Sequence, residues 1–61
     1  FKACWIESDD PAELENFKRR KFQYMAVDKD GRDVFLAESG YLLQMAQSDF
    51  PKIRFHFTSE F

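Results

Sequence analysis

Sixty-one residues hold at most one small domain, 1–61, because domains run to ~50–200 residues. Apolar residues make up 44% of the chain, with eight Phe, two Tyr and one Trp. That excludes intrinsic disorder, which needs low hydrophobicity and high net charge. A net charge of −2 gives no overall attraction to nucleic acid or anionic lipid, and no apolar run approaches the ~20 residues of a membrane span.

Phe1 to Ile6 reads as a strand with Ala3 and Trp5 on one face and Cys4 and Ile6 on the other. Both faces are largely apolar, the pattern of an interior strand. Asp9-Asp10-Pro11-Ala12-Glu13 then starts a helix. Asp10 is placed to cap it, Pro11 suits the first helical position, and Glu13 stands where a capping-box acid reaches back. Leu14 and Phe17 form its inward stripe, and Lys18-Arg19-Arg20-Lys21 fall where the helix dipole favours positive charge.

Lys21 to Val27 alternates, with Phe22, Tyr24 and Ala26 opposite Gln23, Met25 and Val27, and is predicted as a second strand. Asp28-Lys29-Asp30-Gly31 signals a hairpin, a type I turn ending in a left-handed Gly31. The third strand, Arg32 to Glu38, is apolar on both faces through Val34-Phe35-Leu36-Ala37. A short helix follows from Ser39 or Gly40 through Ser48, with Leu42, Met45 and Ala46 at helical spacing, and Asp49-Phe50-Pro51 breaks it. Lys52 to Thr58 alternates as the fourth strand. Its Ile53, Phe55 and Phe57 should face the helices, and its Lys52, Arg54 and His56 the other side.

The order β-α-β-β-α-β predicts an α+β fold: a small single-layer antiparallel sheet with two short helices on one face, in the ferredoxin-like arrangement. There the strands run 4-1-3-2, so the two doubly apolar strands are central. The alternative is a ββαβ core from residue 21 onward, with residues 1–20 loosely attached.

Charge is bipolar along the chain. Residues 1–15 sum to −4, residues 18–21 to +4 and residues 22–61 to −2. A lone Cys4 forms no intrachain disulfide and fits a reducing, cytoplasmic compartment. The chain opens on Phe1 rather than Met, as a fragment or a processed product would.

Several constellations invite chemistry and each has a simpler reading. Asp28, Asp30 and Asp33 miss the calcium-loop spacing, which wants Gly at position six and Glu at twelve; they read as a hairpin turn, and no metal is expected. Cys4 and His56 lie on strands that would be neighbours, yet nothing supplies an orienting group or a Gly-built oxyanion loop. Glu7, Asp9, Asp10 and Glu13 are accounted for by the helix start. No phosphate loop, dinucleotide fingerprint or zinc spacing occurs, so neither enzyme activity nor a cofactor is expected.

What remains is surface. Two short helices cover one sheet face, so part of the set Cys4, Trp5, Ile6, Phe35 and Ala37 is expected on the uncovered side, and Phe1, Phe50 and Phe61 add apolar surface at loops and ends. Exposed apolar patches mark protein-binding surfaces, and aromatics with Arg dominate their hot spots. The leading expectation is therefore a non-enzymatic protein-binding module, acting as a homodimer or on a larger partner. By size and composition alone, a phage- or plasmid-type inhibitor is a sub-reading, which would make this a viral protein. The candidate contacts are Trp5, Lys18, Arg19, Arg20, Lys21, Phe35, Lys52, Arg54 and His56. The alternative is single-stranded nucleic-acid binding. The RNA-recognition motif shares the topology and stacks bases on its open face, where Trp5 and Phe35 would serve beside Lys52, Arg54 and His56. The third strand lacks that family's Arg/Lys-Gly-aromatic pattern.

Overall fold

A computed structural model describes residues 1–58. The elements are β1 (Lys2–Glu7), α1 (Pro11–Arg20), a 3₁₀ turn over Phe22–Tyr24, β2 (Met25–Val27), β3 (Asp33–Ala37), α2 (Gly40–Asp49) and β4 (Arg54–Thr58). The strands form one sheet in the order β2-β3-β1-β4, every pair antiparallel. β1 and β3 occupy the centre, where strands apolar on both faces belong. Because β1 pairs with both β3 and β4, the alternative of a loosely attached N-terminal segment is overturned: residues 2–7 are the middle of the sheet.

Register sorts the side chains into two faces. Cys4 lies opposite Phe35 and Phe57, and Ile6 opposite Phe55. Cys4, Ile6, Phe35 and Phe55 join Phe17 of α1, Leu43 and Ala46 of α2, and Phe50 and Ile53 in one apolar core. Both helices therefore cover the same face. Phe17 is its hub, fully buried and meeting Phe35, Phe50 and Phe55 edge-on at centroid distances of 5.3, 4.9 and 5.6 Å. Edge-to-face pairs add ~0.5–1.5 kcal/mol each beyond the area they bury, which matters in a core this small.

The predicted helix starts hold, with one change in wiring. Asp10 caps α1 by accepting from the Ala12 and Glu13 N–H groups, and Ser39 caps α2 through Leu42 N–H. Glu13 does not reach back to Asp10. The Asp10 N–H donates to Ser8 Oγ instead, and the Glu13 carboxylate accepts the Lys52 N–H at 2.9 Å. Ser8 Oγ in turn donates to the Lys52 carbonyl at 2.9 Å. With both backbone groups of Lys52 taken by Ser8 and Glu13, that residue cannot join a ladder, so β4 starts at Arg54 rather than at Lys52.

The predicted second strand is less than half as long as its alternation suggests. The Lys21 N–H closes α1 onto Phe17 O, and the Tyr24 N–H bonds Lys21 O at 2.8 Å. The chain thus winds a further turn before extending at Met25. The 28–31 hairpin turn forms as read: Gly31 N–H bonds Asp28 O, Asp28 N–H bonds Arg32 O, and Gly31 takes φ 80°, open to glycine at little cost. On α2, Met45 points to solvent while Leu43 fills the inward position. The expectation for Phe61 lies outside the described residues. No helix among them is long and apolar enough to cross a membrane.

Candidate functional site

The uncovered sheet face carries Ala3, Trp5 and Glu7 of β1, Val34 and Leu36 of β3, Ala26 of β2, and Arg54, His56 and Thr58 of β4, as the register requires. Trp5 stands opposite His56, their rings stacked with centroids 4.0 Å apart and 16° between planes. From the β3 side the Arg32 guanidinium lies 4.6 Å from the centre of the same indole. Neighbours from both flanks therefore engage Trp5, and Val34 and Ala3 beside it are buried. The face closes largely on itself.

Phe35 is not part of it. Assigned above to the partner surface, Phe35 is fully buried because its register with Cys4 and Met25 turns it under α1, against Phe17 and Tyr24. A residue without solvent contact binds no partner in the folded chain. Cys4 shares that buried face, whereas His56 lies on the other, so the two make no nucleophile–base pair. Burial pushes the Cys4 thiol up in pKa against a smaller opposing effect of Lys2, as for an inert structural cysteine.

The expected basic face of β4 is already neutralised. Arg54 donates through Nε to Glu7 at 3.1 Å and through both terminal nitrogens to Asp9 at 3.2 and 3.3 Å. His56 Nε2 lies 2.9 Å from Glu7 Oε1, and Lys52 Nζ lies 3.3 Å from Asp10 Oδ2. The acidic N-terminal pole and the cationic strand thus form one network, bordering a shallow cleft of about 380 Å³ lined by Ser8, Asp9, Asp10, Pro51, Lys52 and Arg54. The Glu7 carboxyl is held below the usual range chiefly by the Arg54 hydrogen bond and next by His56. Asp10 is lowered by the Glu13 N–H and then Lys52, and Arg54 is raised by Asp9 and then Glu7. The acids around the start of α1 are explained locally by the cap, while their partners on β4 and just before it lie 39 to 49 residues away.

The basic run at the end of α1 divides. Lys18 pairs with Asp33 at 3.2 Å, and the Arg20 guanidinium covers the Phe50 ring at 5.3 Å. Among the described residues, Arg19 and Lys21 make no ion pair. Asp28 is consumed within its turn, accepting from the Asp30 and Arg32 N–H groups and from Arg32 Nε, and Asp33 is engaged by Lys18. No group of three His, Cys, Asp or Glu side chains among the described residues is arranged to hold a metal ion.

Apolar surface is exposed elsewhere. Phe1, Tyr41 and Phe57 are 80%, 72% and 66% exposed, and Met45 is also exposed. Lys2 lies between β4 and the start of α2: its ammonium is 5.6 Å from the Phe57 ring centre, and its Cε is 4.0 Å from where a side chain on Gly40 would begin, the residue before Tyr41. Met45 follows Tyr41 by four residues, one turn along the same side of α2. Phe57 faces the helix side, as its alternation predicts, but at the rim of edge strand β4 it escapes the core. The sequence supplied the surplus of rings; Tyr41 and Phe57 put part of it at the α2–β4 edge and Phe22 another part on the 3₁₀ turn, rather than on the open sheet face.

The fold and this surface define a small α+β protein with a four-stranded antiparallel sheet and two helices. The chain matches no protein-family model. It is 35% identical over 60 residues, 98% of its length, to peptide chain release factor 3 of Aromatoleum aromaticum. It spans 11% of that protein.

Proposed function

We propose that this chain is a non-enzymatic docking module that belongs to a larger protein concerned with peptide chain release, and that it packs on protein through the patch formed by Phe1, Tyr41, Met45 and Phe57. The observation that carries the reading is the exposure of these four side chains, with Lys2 lying between the Phe57 ring and the start of α2 at Gly40. Exposed rings are what an interface core supplies. The likeness to a short stretch of a release factor fits a module whose neighbours lie in the same polypeptide. We assign the strand order to the ferredoxin-like arrangement, in which one sheet face and two edges remain available to neighbours. The inhibitor sub-reading rests on size and composition alone.

Nucleic-acid binding has less support. Lys52, Arg54 and His56 are occupied by carboxylates, and Trp5 has neighbours on both sides, which leaves no obvious stacking platform.

The test is an anisotropy titration of the labelled chain with the Aromatoleum aromaticum release factor lacking its matching 60 residues. Saturable binding is expected, weakened roughly tenfold or more by Tyr41→Asp with Phe57→Asp, the loss of two interface anchors. Circular dichroism should show both variants folded, since neither side chain is in the core. No binding overturns the assignment to a larger protein. A dimer in sedimentation that the same substitutions dissolve would also overturn it, leaving a self-associating module.

A further inference from the structure

A second surface, separate from the α2–β4 edge, lies where α1 ends. Among the described residues, internal pairing leaves three consecutive cations there without a carboxylate. Lys52, Arg54 and Arg32 each meet a carboxylate within 4 Å, as does Lys18. Arg19 and Lys21 meet none among the described residues, and Arg20 rests on an aromatic ring instead. The chain is net acidic, yet residues 19–21 present local positive potential. The helix dipole alone accounts for cations at this position. It does not account for the next residue. Phe22 is 74% exposed on the 3₁₀ turn, although Tyr24, two positions on, packs against the core. Winding residues 22–24 as a turn rather than a strand holds Phe22 in water, directly after the cations.

We infer that Arg19, Lys21 and Phe22 form a docking site for an acidic protein segment that carries an apolar side chain. Carboxylates of the segment would pair with Arg19 and Lys21, and its apolar side chain would cover the Phe22 ring. Charge complementarity selects the occupant. Arg19 and Lys21, which meet no carboxylate among the described residues, suit a few carboxylates placed beside one apolar contact. Tracking a phosphate backbone instead takes a basic groove that engages many phosphates. This inference deepens the protein-docking reading and rests on it, but uses different residues.

The probe is a fluorescein-labelled twelve-residue peptide of Glu and Asp with a central Leu-Phe pair. Its controls are the same peptide with Gln and Asn for the acids, the same peptide with Ser-Ser at the centre, and a twelve-nucleotide oligo(dT). Anisotropy at low salt should show saturable binding of the acidic-apolar peptide only. Arg19→Glu with Lys21→Glu should weaken it about tenfold and flatten its salt dependence, as expected for steering charges. Phe22→Ser should weaken it while leaving the salt dependence in place. The inference is overturned if the peptide does not bind, if the charge reversals leave binding unchanged, or if oligo(dT) binds more tightly through the same residues. If release-factor docking through Tyr41 and Phe57 persists in that case, only this second surface is lost.

Discussion

Trp5 and His56 face each other across β1 and β4 with their rings stacked 4.0 Å apart, and this pairing decides how the uncovered sheet face behaves. An indole engaged by His56 on one flank and Arg32 on the other is a structural group rather than an open platform. Its partners are fixed in turn, His56 by Glu7 and Arg32 by Asp28.

Because the chain contains one Trp, its fluorescence reports this face alone. Titration with single-stranded oligo(dT) should leave the emission of Trp5 unchanged in intensity and wavelength. Saturable quenching would mean that a base displaces Arg32 or His56, and would restore the nucleic-acid reading.

Acid should destabilise the fold through a defined set of carboxylates. Glu7, Asp10 and Asp28 all have folded-state pKa values below their ordinary values of 4.5, 3.8 and 3.8. In that range the unfolded chain binds more protons than the folded one, so stability rises with pH. Their contribution is complete above those ordinary values and disappears as pH falls through the lowered ones. Urea midpoints measured from pH 7 down to pH 2 should fall on this limb. The triple variant Glu7→Gln, Asp10→Asn, Asp28→Asn should be less stable at pH 7 and show a flatter limb. An unchanged limb would place the acid sensitivity elsewhere.

Phe17→Ala removes the hub of three edge-on ring contacts. The cost should be ~3–5 kcal/mol, the usual range for Phe→Ala in a core, against a stability that a domain of this size seldom exceeds. The variant is expected to be largely unfolded at 25 °C by circular dichroism. A cooperative transition within about 1 kcal/mol of the parent, far below the usual loss from a filled core, would show that the three contacts are weak.

Gly31→Ala isolates backbone conformation from packing. No atom lies within 4 Å of the position a Cβ would occupy, so only the φ of 80° opposes the substitution, at about 1–2 kcal/mol. Gly31→Asn should be milder, since Asn tolerates the left-handed region. Thermal melts of the two variants give the comparison, and equal losses would point to a steric cause.

Local chemistry made much of the fold legible in the sequence. Asp10 before Pro11, Ser39 at the start of α2 and Gly31 in the turn each specify a backbone event through atoms a few residues apart. The doubly apolar runs 3–6 and 34–37 marked the central strands, because side chains of a strand flanked on both sides are shielded by cross-strand neighbours even on the face no helix covers. Residues 22–24 depart from the strand pattern for the converse reason. Alternation over three residues is equally compatible with an extra turn, and the hydrogen bonds from Lys21 and Tyr24 decided it.

By itself the sequence determined how many rings and charges there are and, outside residues 22–24, which segments turn and which extend. Tertiary structure alone decided their partners. Register buried Phe35 while lifting Trp5 to the opposite face, and the approach of Glu7, Asp9 and Asp10 to Lys52 and Arg54 neutralised a strand that looks basic in isolation. The physical reason is separation along the chain. Glu7 and His56, or Glu13 and Lys52, meet only after the sheet has closed, and a pairing made by closure leaves no local signal in either segment.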